Sequence, residues 1–298
     1  MTAIEVSAYA KINLCLLLGG PRADGRHRLV TLLESVQLAD DVRLVVPSPS
    51  DVDEVFCPGL DGPNLVADAL TGLRSAGWGA PPVRVEIEKR IPVAAGMGGG
   101  SADAAAVLRS AASVAPVSAS VVYDIAGHLG SDVPSQLDPG PMLGVGAGDL
   151  VTPLEPLSEH AVLVVPQPFG FSTADVYLEA DRLGLARTDC ELSGLQEELE
   201  SALARPDAPF PARLLVNDLE RAAVSLRAEV GEALEAVRDV GADNALLCGS
   251  GPTAIGVFWG GAALDRTMSA CEGLLGSWPR AIAVAPVRRG VRAPTANP

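Results

Sequence analysis

The stretch KRIPVAAGMGGGSADAAAVLRSAASV, residues 89–114, joins the end of a strand, a glycine-rich loop and the start of an alanine-rich helix. Pro92 stops the strand, because proline cannot donate to a sheet ladder. Ser101 is placed as the N-cap, with Ala102, Ala104, Ala105 and Ala106 supplying helix propensity behind it. Between them Gly96, Gly98, Gly99 and Gly100 put four glycines into five residues, more than a tight turn needs. Glycine lets a backbone approach an oxyanion closely and adopt positive φ, while free amides and the helix dipole point at it. The stretch therefore reads as a phosphate-binding loop. It lacks the GxxxxGK[ST] pattern, with no lysine inside the loop, and no early strand with an acidic residue about 20 positions on completes a dinucleotide fold.

Working outward, Val83–Glu88 alternates apolar and charged residues and reads as a strand, and Asn64–Ala76 carries apolar residues at helical spacing. Ile4–Leu18 reads as a strand with Tyr9, Lys11, Asn13 and Cys15 on one face. The polar turn GGPRADGRH leads to a second β-rich stretch, Leu29–Val46. A helix is expected over Ser118–Leu129 and, after a proline-bearing region at Asp138–Pro156, a strand at Val162–Val165. Helices follow at Ser172–Leu183, Glu191–Leu203, Asn217–Leu226 and Arg227–Val240. Two short strands, Ala245–Cys248 and Ala254–Trp259, bracket a second glycine turn at Gly249-Ser250-Gly251-Pro252. The tail RRGVRAPTANP reads as loosely ordered. The boundary falls near residue 155, giving domains 1–155 and 156–298.

The 298 residues are 48% hydrophobic and 20% charged, with a formal net charge of −15, so a sizeable core is available and most of the surface repels polyanions. That argues against a general nucleic-acid partner. Of 22 basic residues only Lys11 and Lys89 are lysine. Lys11, flanked by Ala10 and Ile12 in an apolar strand, needs a partner; Lys89 reads as a solvated charge at a strand end. Five cysteines without a CxxC pair indicate neither disulfides nor zinc, and are expected as buried thiols. The opening MTAIEVSAYAKIN has no signal layout, and no apolar run approaches the ~20 residues of a membrane helix. A cytoplasmic protein without a membrane partner is expected.

The glycine stretch, Pro92 to Ala105, resembles the second motif of the GHMP kinases. The triple glycine followed by Ser-Ala-Asp-Ala-Ala is similar to the branch of that superfamily that phosphorylates 4-diphosphocytidyl-2-C-methyl-D-erythritol. AKINLCLLLGGPRADGRH, LGSDVP at 129–134, FSTADVY at 171–177, NDLE at 217–220 and NALLCGSGPTAIGVF at 244–258 extend the resemblance along nearly the whole chain. It implies an α+β fold of two domains, the first like domain 2 of ribosomal protein S5 and the second an α/β plait, with the site in the cleft between them. It also implies ATP and Mg2+ as cofactors, a cytidine-diphosphate-linked sugar alcohol as substrate, and a monomer or homodimer acting in non-mevalonate isoprenoid synthesis.

Residue by residue, the resemblance nominates Asp132 to act on the acceptor hydroxyl and Lys11 as its cation. Pro92, Gly96, Met97, Gly98, Gly99, Gly100, Ser101 and Ala102 would hold the nucleotide phosphates, with Ser101 also on the metal side. Asn64 and Leu65 would lie beside the adenosine, Asn64 equally serving as a helix N-cap. Gly249, Ser250 and Gly251 would form a turn beside the phosphates. Asn13, Arg26, His27 and Thr173 are the substrate-side candidates, His27 toward the cytosine; His128 and His160 are structural.

Two departures bear on the acceptor. Arg26 stands where the family has tyrosine, so a stacking aromatic is replaced by a guanidinium plane, with Phe169 and Phe171 as other candidates for the stacking face. Ser135 and Gln136 stand where aromatic or apolar residues are usual. Both leave open a kinase for another small alcohol, homoserine- or mevalonate-like. A catalytically silent nucleotide-binding paralogue is the reading from a different class.

Overall fold

The computed structural model describes residues 2–60, 62–205 and 210–288. The chain opens with two 20-residue strands, β1 (Thr2–Pro21) and β2 (His27–Val46), paired antiparallel along their length. The tight turn between them accounts for the Gly-Pro and Asp-Gly pairs at 20–25. There follow β3 (Glu54–Phe56), α1 (Leu65–Ser75), β4 (Arg84–Glu88), α2 (Gly99–Val114), α3 (Ala119–Leu129), the single-turn α4 (Val133–Gln136), β5 (Met142–Val145) and β6 (Leu150–Pro153). These six strands form one sheet in the order β3-β4-β2-β5-β6, with β1 on the other side of β2.

The second half carries β7 (His160–Val165), α5 (Thr173–Arg182), α6 (Asp189–Leu203), a 3-10 turn at Ala212–Leu214, α7 (Glu220–Leu226), α8 (Glu229–Asp239), β8 (Asn244–Leu247), β9 (Ala254–Trp259), α9 (Ala263–Leu274) and β10 (Ile282–Val284). Its four strands are ordered β10-β7-β9-β8. Most expected elements lie within a residue or two of these bounds. The short strands β3, β5, β6 and β10 and the helices α4 and α9 were not anticipated. Of the tail at 288–298, only Arg288 falls among the described residues.

Helix α2 is buried almost all round, with Ala102, Ala104, Ala105, Ala106, Val107, Leu108 and Ala111 fully covered. Small side chains let it lie close to β1 and α1, which is why this stretch spends so many alanines. The expected cap at Ser101 does not form. The helix begins three residues earlier, and its N-cap is Gly98, left-handed at φ 69° with no capping side chain. The first-turn amides are thus left for a ligand, where a serine cap would have consumed one.

The two sheets are tied by a buried pair, His160 of β7 and Glu34 of β2, at 2.7 Å, with His160 tilted against Trp259. Burial opposes charge on His160, but the Glu34 carboxylate and the Ser158 carbonyl outweigh it and raise the imidazole above its usual range. His128 is exposed and bonds the Asp124 carbonyl. The thiols divide: Cys15 and Cys248 are buried, Cys57 and Cys271 half-buried, and Cys190, on the outer face of α6, is exposed rather than buried as expected.

Candidate active site

A cleft of about 950 Å3 lies where β1, the glycine loop, α4, α5 and the turn after β8 converge. Its floor is the β1 segment around Lys11. The Lys11 amide donates to the Met97 carbonyl at 3.0 Å, so strand and loop are joined through the backbone. The Lys11 ammonium donates to Asn13 Oδ1 at 2.9 Å and lies 3.5 Å from Asp132. Asn13 in turn donates to Thr31 Oγ1 at 2.8 Å, and Thr31 donates to the Cys15 carbonyl at 2.7 Å. This chain fixes the amide so that its oxygen faces the lysine. Asp132 occupies the N-cap position of α4 but makes no capping bond, and its side chain is 38% exposed toward the cleft.

The register of β1 slips between Asn13 and Cys15. That bulge breaks the alternation expected for the strand, so Leu16, not Cys15, lines the cleft. Cys15 is turned inward, where burial and the nearby Asp218 charge push its thiol up to about 12.

The glycine loop and the second glycine turn interlock. A Cβ on Gly96 (φ 77°) would stand 2.4 Å from the Cys248 carbonyl oxygen, and one on Gly249 (φ 57°) 2.9 Å from the Gly96 oxygen and 3.1 Å from Lys11 Nζ. No side chain fits at either contact. Gly98, Gly99, Gly100 and Ser101 present the start of α2 to the cleft, and Pro92, Met97, Asn64, Leu65 and Ser250 also line it. Asn64 caps α1 through the Val66 amide at 2.9 Å, so capping and cleft-lining coexist in one residue. Ala102 is buried inside α2, and Gly251 abuts Leu247; neither lines the cleft.

At the far end Thr173 opens α5 and lies 3.1 Å from Ser250 Oγ, joining the start of that helix to the turn after β8. His27 is buried, with Nε2 2.8 Å from Asp181 and its ring 5.3 Å from that of Tyr177. Burial, then the Asp132 charge, raise the Tyr177 hydroxyl, which stays protonated. Arg26 reaches Asp24 at 3.1 Å and Asp149 at 3.3 Å, so carboxylates hold the guanidinium edge while half of the side chain remains exposed. Phe169 and Phe171 do not line the cleft. They face each other, and Arg227 covers Phe169. The aromatic of this end is Tyr177, which belongs to the quoted FSTADVY stretch and lies one turn from Asp181 on α5. Ser135 and Gln136 are buried beneath the cleft and do not line it.

Lys89 is not a solvated strand end. Its ammonium is held, partly buried, between Asp40 and Asp103, 2.8 Å from the latter, and Asp40 also accepts the Ile91 amide at 2.8 Å. The triad binds α2 to β2 behind the glycine loop. Asp103, a charge inside an alanine-rich helix, was the visible sign of it. Burial, opposed by Lys89 and assisted by Asp40, raises the Asp103 carboxyl to about 7. Its folded value lies above its unfolded one, so the folded state binds the extra proton and loses stability as pH rises through about 7. In thermal melts, Asp103→Asn should gain on the wild type at pH 8 and lose that advantage toward pH 5; parallel Tm curves would contradict the assignment.

Family models for the GHMP kinases N terminal domain and the GHMP kinases C terminal match residues 64–140 and 199–272. The 4-diphosphocytidyl-2-C-methyl-D-erythritol kinase of Streptomyces avermitilis is 40% identical over 260 residues, covering 84% of this chain and 86% of the relative. That of Cutibacterium acnes is 38% identical over 266 residues, covering 84% of each. A crystal structure of 4-(cytidine 5'-diphospho)-2C-methyl-D-erythritol kinase superposes with a TM-score of 0.74 at 32% identity, over 95% of this chain and 99% of that one. Homoserine kinase from Cytophaga hutchinsonii, at 16% identity and TM-score 0.71 over 97% and 96% of the chains, shares the fold.

Proposed function

The chain belongs to the GHMP kinase family, within it to the 4-diphosphocytidyl-2-C-methyl-D-erythritol kinases, and from that premise we propose that it transfers the γ-phosphoryl group of ATP to the 2-hydroxyl of that erythritol. The observation that carries the reading is the Lys11–Asp132 pair set opposite an uncapped, glycine-cradled helix N-terminus in one cleft. Transfer needs positioning and charge stabilisation more than covalent chemistry from the protein.

ATP fits the cradle: a Cβ on Gly100 would meet only Leu65, at 3.9 Å, so the space over the helix start is open for phosphate oxygens. Asn64 and Leu65 take the nucleoside end. In transfer, the acceptor hydroxyl oxygen forms a bond to the γ-phosphorus as the bond to the β–γ bridging oxygen breaks. The hydroxyl proton passes to the Asp132 carboxylate and ADP departs. Lys11, 3.5 Å from Asp132, offsets negative charge on the transferring oxygens. Among the described residues no three acidic, His or Cys side chains converge as a metal cage. Ser101, which lines the cleft at the start of α2, would be the protein's ligand to a Mg2+ otherwise held by phosphate oxygens, as is usual for that ion. The metal supplies charge neutralisation on those oxygens.

His27, oriented by Asp181, and Tyr177 would receive the cytosine, with Arg26 stacking on it. The carboxylates hold the edge of the guanidinium and leave its plane for a base. Base stacking on a side chain is worth about 1–3 kcal/mol. Arg26→Ala should therefore raise the acceptor KM roughly 5- to 140-fold with kcat and the ATP KM unchanged. Arg26→Tyr should restore it. Steady-state kinetics with the acceptor varied at saturating ATP read both.

The decisive assay is ADP release with the diphosphocytidyl erythritol, homoserine and mevalonate as acceptors, with and without Mg2+. Turnover confined to the first acceptor is expected; turnover on another alcohol alone would move the substrate assignment. No helix among the described residues is long and apolar enough to cross a membrane. Cytoplasmic location forms part of the proposal and rests on the need for ATP.

A further inference from the structure

The NDLE stretch, 217–220, lies outside the chemistry assigned above, yet its first residue joins the two halves of the cleft. The segment is zipped onto β1 through the backbone: the Leu16 amide donates to the Val216 carbonyl at 2.8 Å and the Asp218 amide to the Leu16 carbonyl at 2.9 Å. The Asp218 carboxylate strengthens the join, accepting the Leu18 amide at 2.9 Å and two bonds from Arg187 at 2.6 Å. From this anchored position the Asn217 amide, 7% exposed, crosses to the other sheet. Its Nδ2 donates to the carbonyl of Leu247, the last residue of β8, at 2.8 Å, and to that of Gly249 at 2.7 Å. Its Oδ1 accepts the Leu219 amide at 2.9 Å, so every hydrogen-bonding capacity but one lone pair is used.

Gly249 is the residue whose α-carbon faces Lys11 Nζ and Asn13 Oδ1. We propose that Asn217 is a positioning residue for phosphoryl transfer: it clamps the 249–251 turn to the strand that bears Lys11, and so sets how closely that turn closes on the lysine and the glycine loop. This rests on the kinase reading. Two donors aimed at two carbonyls are what the clamp needs, and the Leu219 amide could be accepted as well by an aspartate. The donors are therefore the part of the side chain that a purely local role leaves unexplained.

Asn217→Asp separates the two roles, because it keeps the shape and the acceptor toward Leu219 but sets oxygen against both carbonyls. The expected result is a kcat lower by roughly 10- to 100-fold, as for misplaced catalytic groups, with the acceptor KM unchanged and the far-ultraviolet dichroism of the wild type. Amide exchange at 249–251 should quicken. Gly249→Ala disturbs the same contact from the opposite side, so the double variant should lose no more than the worse single one. Unchanged kcat, or losses that simply multiply, would overturn the proposal. If the aspartate variant does not fold, Asn217→Ser reads the same quantities. If the wild type fails to turn over the erythritol, the kinase reading fails. Amide exchange at the turn and calorimetric affinity for ATP then still decide the clamp, unaltered values in Asn217→Asp overturning it.

Discussion

Lys11→Met is expected to fold, bind ATP and produce ADP about 10²–10³-fold more slowly than the wild type, the loss typical of removing one preorganised charge. Asp132→Asn should cost about 10²–10⁴-fold, the range of a lost general base. Both should spare the fold, for different reasons. Methionine fills the lysine's channel between β1 and Gly98, whose α-carbon the Lys11 stem already crowds. It leaves no buried ion unpaired, because the side chain of Asp132 is exposed enough for water to solvate it. Asparagine at 132 keeps the size of a side chain that caps nothing. Since each group acts through the other, the double variant should be little worse than the poorer single one. Rapid-quench single turnovers with melting curves on the same samples make the check. Wild-type rates in either folded variant would remove the pair from the mechanism.

How far the site was legible in the sequence varies by the kind of physics involved. Local backbone demands were plain: the clustered glycines at 96–100 and 249–251 marked positive φ and close approach, and the structure places both turns against one another. A lone lysine in an apolar strand pointed to a partner, and Asp132 lies 3.5 Å away. What stayed hidden depended on register and on partners far apart in the chain. Period-two alternation put Cys15 beside Asn13, but a bulge, which leaves no mark in composition, gave that place to Leu16. Lys89 looked solvated because its partners, Asp40 and Asp103, come from a different strand and from the helix after it. Ser101 was a good cap by type, yet a left-handed Gly98 starts the helix first, since the loop must arrive from a direction only glycine allows. The strands β5 and β6 were masked by prolines and glycines at their ends, which read as loop.

Gly96→Ala should be the most damaging change in the loop, and its comparison with Gly100→Ala separates architecture from nucleotide contact. At Gly96 a methyl group meets φ 77°, which costs roughly 1–2 kcal/mol for a non-glycine residue. It also meets the Cys248 oxygen at 2.4 Å and the Gly251 oxygen at 2.9 Å, both backbone atoms without a rotamer to give way. Forced overpacking adds about 1–3 kcal/mol, so the sum is about 2–5 kcal/mol and a Tm lower by roughly 5–15 °C. The relief available is for the 249–251 turn to back away from the loop, and that removes its closure over Lys11. Stability and kcat should therefore fall together. Gly100 lies inside the first turn of α2 without a left-handed φ, and a methyl there touches only Leu65, at ordinary contact distance. Replacing it gains up to about 1 kcal/mol of helix propensity. The same methyl projects into the space assigned to the phosphates, so the ATP KM should rise while the Tm holds or increases. Melting curves beside ATP titrations of both variants distinguish them, and a Gly100→Ala enzyme with unaltered ATP affinity would place the phosphates elsewhere in the cleft.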